Sequence, residues 1–235
     1  MTERRAARTG LAEQVAGHLL HDITEGLHPA GTRLPPEPVL AEAAGVSRLT
    51  LREAVKWLGQ RGVLRVEQGR GTFVNPTSEW LPLDPQLLAT LVRRDHGLAA
   101  QLTEVRRIVE VGAATLAARR RTTEDLDRMR DAIERAGAAF ERGDEVAFSE
   151  ADIAFHQSVL GAVENHFVPA LLVPVDAALR EIRHQTSRDR RASRRALVMH
   201  TRIYEAIRRR SSGVAADAMR RHLDETRRYV QSMPR

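Results

Sequence analysis

From Gln86 onward the apolar residues of this chain return only at helical spacing, with no alternating strand pattern. A stretch of that length has to fold as helices packed on helices. The spacing predicts helices over 86–95, 98–120, 123–142, 145–161, 165–187, 190–210 and 212–231, with Thr122, Asp144 and Ser211 or Ser212 as N-caps. Aromatic residues make up only 4% of the chain, so Leu, Val and Ala carry most of the 42% hydrophobic content, which favours helix further.

The texture before this block is different. Leu11, Val15, Leu19 and Ile23 recur every fourth residue and form one helix face, closed by the turn residues Gly26 to Gly31. A second helix is expected from Glu37 to Ala44, broken by Gly45, and a third from Ser47 to Gln60. Gly62 to Val66 and Thr72 to Val74 read as two short strands around the tight turn Glu67 to Gly71. Asn75 to Pro85 holds three prolines and no clean period, and reads as a linker. The organisation expected is therefore residues 1–74, a linker over 75–85, and an all-helical domain over 86–235.

Three helices followed by a hairpin is the order of a winged helix-turn-helix, a mostly α domain with a β-hairpin wing. The third helix has the faces such a domain needs. With Ser47 as N-cap, Leu51, Ala54, Val55 and Leu58 share one side, and Arg48, Arg52 and Lys56 share another, with Leu49 beside them. A basic first turn projecting outward suits the major groove, where Arg matches guanine O6 and N7. A basic surface helix of no special role has the same pattern. The hairpin adds a second feature, because Gly69 and Gly71 allow close approach to a phosphate backbone and Arg70 supplies charge there.

The net charge of +6 suits a polyanionic partner, although Arg-rich chains often carry basic surfaces without one. The absence of Cys excludes disulfides and thiolate metal sites and fits a reducing cytoplasm. No apolar run approaches the roughly 18 residues of a membrane span, and no apolar segment follows the basic MTERRAARTG, so neither a membrane nor a secretory leader is expected.

In the helical block, polar side chains fall on apolar stripes. Phe148, Asp152, Phe155, His156 and Val159 share one stripe, and Asp152 and His156 are i and i+4. His200 lies on a stripe with Leu197, Ile203, Tyr204 and Ile207. His222 shares a face with Ala215, Ala218, Met219 and Tyr229, opposite Arg220, Arg221, Arg227 and Arg228. Asp152, His156, His200 and His222 form a sound ligand set for Zn²⁺ or another first-row divalent ion such as Ni²⁺. The alternative is a hydrogen-bonded Asp152–His156 pair with His200 and His222 as satisfied core residues. Arg106, on a face with Leu102, Val109 and Ala113, has Glu110 at i+4 as an ordinary salt-bridge partner.

Two resemblances rest on motifs in this chain. The pieces PAGTRLP, LAEAAGVSR, LREAV, LGQRGVL and GRGTFV, within residues 11–74, resemble the DNA-binding domain of the GntR family. The resemblance implies that Arg48 and Arg52 contact operator DNA, that Ser47 and Thr50 touch phosphates, and that Gly69 to Gly71 form the wing tip. Pro36 stands where the family has a capping Ser, and Pro38 where it often has a DNA-contacting Arg. The phrases EVRRIVEVGAATLAARR, DEVAFSEADIAFHQSVLGAVEN, MHTRIYEAI and AMRRHL resemble the all-α FCD ligand-binding domain of FadR-type GntR regulators. This resemblance implies that Asp152, His156, His200 and His222 hold a metal beside a pocket for a small organic acid, which Arg106 could meet.

The expectation is a homodimeric transcription regulator on double-stranded, palindromic operator DNA, with repression as the default sign. Two other functions compete with it. A metalloenzyme would need a general base, a nucleophile elbow or a Gly-rich cofactor loop, and no such motif is evident. A nonspecific DNA-packaging protein would bind with steep salt dependence and no sequence preference.

Overall fold

The computed structural model describes residues 2–81, 84–93 and 95–233, with side chains from residue 10 onward. Positions 82 and 83 of the expected linker and 94 of the first expected helix of the helical block lie outside the described residues. The chain divides into two compact units, Met1–Thr90 and Leu91–Arg235.

The first unit opens with α1 (Thr2–Thr24), α2 (Glu37–Ala43) and α3 (Arg48–Gln60). The buried side of α1 is Ala12, Val15, Ala16, Leu19, Leu20 and Ile23, while Leu11, expected on that side, is exposed. This side packs on α3, whose Leu51, Ala54, Val55 and Leu58 are all buried, as its periodicity requires. Ser47 caps α3 through its hydroxyl, which accepts from the Thr50 amide at 3.1 Å. Pro36 precedes α2 and makes no side-chain cap. Prolines are accommodated there because the first-turn amides have no helical acceptors.

The hairpin pairs β1 (Leu64–Glu67) with β2 (Gly71–Val74) in antiparallel register, Leu64 opposite Val74 and Glu67 opposite Gly71. Arg33 adds an isolated bridge to Phe73. A 3-10 turn at Thr77–Glu79 follows, then α4 (Pro85–Val92). Asn75 and Trp80 are buried, and the Trp80 indole donates to the Asn75 carbonyl at 3.1 Å. Gly62, at φ +74, lets the Glu79 carbonyl come where a Cβ would stand 2.3 Å from it.

The second unit is helical throughout: α5 (His96–Arg120), α6 (Thr123–Arg142), α7 (Glu145–Gly161), α8 (Phe167–Ala170), α9 (Asp176–Ser187), α10 (Arg190–Arg208) and α11 (Ser212–Ser232). Helix α5 packs chiefly on α11 and also on α7 and α10, while α6 lies on α7. Small residues at the contacts (Ala114, Ala117, Ala118, Ala206 and Ala215) let the helices approach closely around Met129, Phe155, Ile203 and Met219. Helix starts are set by local chemistry. Thr122 and Asp125 form a reciprocal capping box at α6, and Asp144 caps α7 by accepting from the Ala147 amide. Ser211 occupies the N-cap position of α11 but makes no side-chain cap bond.

One expected helix is corrected. Residues 165–187 do not form a single rod but α8, a 3-10 turn at Val173–Val175, and α9. Pro174 removes an amide donor and crowds the preceding turn, while Pro169 sits in the first turn of α8, so the continuous apolar pattern is not realised as one helix.

Candidate metal centre and nucleic-acid interface

Helix α3 presents its first turn outward. Ser47, Arg48, Leu49 and Arg52 are exposed. Thr50, expected at a phosphate, is buried, with its hydroxyl 2.8 Å from that of Ser47. The Arg52 guanidinium meets α2: its Nε and Nη2 both donate to Glu37 Oε2 at 3.2 Å. At the wing, Gly69 and Arg70 are exposed, and Arg70 pairs with Glu67. Gly71, at φ +115, has the Arg33 guanidinium against its Cα, where a Cβ would stand 2.5 Å from Arg33 Nε.

In the second unit, α7, α10 and α11 bring Asp152, His156, His200 and His222 together, with one ligand atom from each within 4.8 Å of the others. His222 Nε2 lies 3.2 Å from His156 Nε2 and 3.3 Å from His200 Nε2, and His200 Nε2 lies 3.4 Å from Asp152 Oδ1. All three imidazoles are buried. Tetrahedral bonds of about 2.0–2.1 Å place ligand atoms about 3.3 Å apart. The donor set therefore fits a divalent ion, and the cluster could hold one.

A second layer surrounds these residues. Glu110, on α5, accepts from His156 Nδ1 through Oε2 and from Arg106 Nε through Oε1 at 2.7 Å. Arg106 is 1% exposed, and its Nη2 is buried without a partner among the described residues. The salt bridge to Glu110 is thus present, yet the guanidinium keeps unspent donors. Arg183, which sequence reasoning left without a role, lies with its Nε 2.9 Å from Asp152 Oδ2. Its signal was its place on the apolar side of α9, beside Ile182 and one turn from Leu179. A cavity of about 50 Å³ opens here, lined among others by Arg106, Asp152, Arg183, Ser193, His222 and Tyr229.

Burial sets the charge states. It pushes the imidazolium forms of His200 and His222 well down, and neighbouring positive groups add to this. His156 is pushed down by burial as well, although Glu110 pulls against the shift. For Glu110, burial alone would raise the carboxyl, but Arg106 and His156 together hold it well below the usual carboxylate range. Asp152 is likewise lowered, with His156 and Arg183 outweighing burial. Arg183 is lowered to about 10 by burial and by Arg106. At neutral pH the cluster is thus three neutral imidazoles and a carboxylate, the protonation state in which these groups act as ligands.

A winged helix-turn-helix followed by an all-helical FCD domain is the make-up of a DNA-binding transcription regulator with a ligand-binding domain. The chain belongs to the gntR family of bacterial regulatory proteins, matching that family over residues 11–74 and the FCD domain over residues 101–225. It is 32% identical to the HTH-type transcriptional regulator LutR of Bacillus subtilis (strain 168) over 206 residues, 86% of this chain and 92% of that one. It is 31% identical to the galactonate operon transcriptional repressor of Escherichia coli (strain K12) over 199 residues, 83% of this chain and 86% of that one. Among solved structures, Streptococcus agalactiae GntR matches with a TM-score of 0.51 and 30% identity, covering 93% of this chain and 99% of that one. These families and relatives are regulators, not enzymes. Among the described residues no helix is long and apolar enough to cross a membrane.

Proposed function

We propose that the protein is a cytoplasmic homodimer that represses transcription from a palindromic operator and is released by a small organic acid bound beside a divalent metal, with Zn²⁺ first in order. Residues 1–74 bind DNA, 75–85 link, and 86–235 sense the effector. Ser47, Arg48, Leu49, Thr50 and Arg52 address the operator from α3, and Gly69, Arg70 and Gly71 from the wing. Thr50 would act through the Ser47 hydroxyl it holds in place.

One observation carries the sensor half: of the four clustered ligand side chains, Asp152 and His222 line a cavity that is also lined by Arg106, whose Nη2 is buried without a partner among the described residues. Asp152, His156, His200 and His222 would hold the ion, which supplies a Lewis-acid position for one carboxylate oxygen. Arg106 would orient the acid through its free donors, and Arg183 would hold Asp152 in place. The acid has to bind the operator-competent and released arrangements with different affinity, a coupling of roughly 1–3 kcal/mol in systems of this kind.

The test is operator gel shift against a panel of small mono-, di- and hydroxycarboxylic acids, with and without a chelator. The expected outcome is release by at least one acid, abolished by chelation and by Arg106→Met. A panel-wide lack of effect on metal-loaded protein would overturn the sensor reading.

A further inference from the structure

We infer that Glu110 is a positioning residue for the metal centre: it fixes His156 in the tautomer and ring orientation that turn Nε2 toward Asp152, His200 and His222. The inference rests on the metal reading above and extends it to a residue outside the ligand set.

The geometry of the carboxylate argues against a simple salt bridge. A buried Glu serving only Arg106 would turn both oxygens to the guanidinium fork. Here the oxygens are divided, Oε1 to Arg106 Nε at 2.7 Å and Oε2 to His156 Nδ1. An ionised carboxylate can only accept, so the proton in the second contact sits on Nδ1. That leaves the Nε2 lone pair free, and Nε2 is the atom 3.2 Å from His222 Nε2. Outer-nitrogen contacts of this kind settle which nitrogen binds a metal, and losing them weakens affinity about 10–100-fold. His200 offers the contrast: its Nδ1 is buried and has no partner among the described residues. Glu110 is held in turn from one helical turn away, because Arg106 and Glu110 are i and i+4 on α5 and both are about 1% exposed.

Arg106 therefore touches two things, bonding Glu110 through Nε and lining the cavity. Removing Arg106 alone would leave Glu110 as an unpaired buried charge, so Glu110 and not Arg106 is the residue whose substitution tests the inference.

The experiment measures Zn²⁺ affinity by competition with a chromogenic chelator, and the visible spectrum of the Co²⁺-loaded protein, for the full-length parent and variants. Glu110→Gln is expected to bind Zn²⁺ about 10–100-fold more weakly and to change the Co²⁺ bands, with the metal-free melting profile recorded alongside. The double variant Arg106→Met/Glu110→Met replaces the buried pair by apolar side chains of similar size, so it keeps the fold if Glu110→Gln does not. It should show the same weakening. In the parent protein, ¹⁵N correlation spectra should show His156 protonated at Nδ1 with no variant required. Parent-like Zn²⁺ affinity in folded Glu110 variants, or an Nε2-protonated His156, overturns the inference. A parent that takes up no Zn²⁺ or Co²⁺ instead overturns the metal reading on which it rests.

Discussion

Arg52 and Glu37 are joined by two hydrogen bonds of 3.2 Å to a single carboxylate oxygen, Glu37 Oε2. The pair spans α2 and α3, and it occupies the Nε–Nη2 edge of the guanidinium. Nη1 and the second Nη2 proton take no part in this pair, and they would be the donors for a bidentate contact with guanine. On the proposed reading, Glu37 would orient Arg52 before DNA arrives. The Arg52 side chain is 67% exposed, so solvent screening limits the contribution to about 0.2–1 kcal/mol. Glu37→Gln should weaken operator binding by a few-fold while nonspecific binding stays level or rises, because a negative charge has been removed. Titrations of operator and scrambled duplex at one salt concentration measure the ratio. An unchanged ratio means that Glu37 does not orient Arg52.

Arg52→Ala tests the groove contact itself. One bidentate contact with a base is worth about 1–3 kcal/mol, so operator affinity should fall about 10–100-fold and preference at one operator position should relax. The side chain is exposed and the helical unit contains no part of it, so metal content and melting of that unit should match the parent. Equal operator affinity would remove Arg52 from the interface.

His200→Ala takes away one proposed ligand and the ring stacked on Phe155 at 4.2 Å. Purified variant should carry substoichiometric metal by elemental analysis, and its operator complex should resist the acid that releases the parent. Full metal content in the variant would exclude His200 from the ligand set.

The metal-free protein should lose stability on mild acidification. The three cluster histidines have folded-state values below the ordinary 6.5, because burial disfavours their charged forms. Below about pH 6.5 the unfolded chain takes up protons that the folded chain refuses, so unfolding becomes easier as pH falls. The lowered carboxyls of Glu110 and Asp152 act in the same direction at lower pH, since protonating them costs the folded state its internal pairs. Melting of chelator-treated protein from pH 8 to 5.5 should show a falling transition for the helical unit. A flat profile would mean that the cluster is not buried in its neutral form.

Much of this was legible in the residues. The phase of Leu51, Ala54, Val55 and Leu58 placed the buried side of α3, and Ser47 marked its start. The four candidate ligands could be read because each sits as a polar residue on an otherwise apolar stripe, and helical spacing fixes which way they face. Periodicity failed where covalent geometry overrode it: the apolar pattern across 165–187 is continuous, but Pro169 and Pro174 cannot donate to a helix there. It also could not reveal partnerships between helices. Glu110 was visible as the neighbour of Arg106 at i+4, whereas its contact with His156 joins residues 46 positions apart and depends on how α5 and α7 pack. Arg183 was overlooked for the same reason, since a charged residue beside Ile182 says nothing of Asp152 on another helix.

The proline interruption between α8 and α9 resets rotational phase. Because α9 begins afresh at Asp176, the azimuth of Arg183 about its axis is counted from that point rather than from α7. One residue inserted after Asp176 and before Arg183 would swing the guanidinium about 100° away from Asp152, whereas the stretch between Asn165 and Pro174 can change length with far less angular consequence. Insertions and deletions in this part of the chain should therefore be tolerated ahead of Asp176 and penalised behind it.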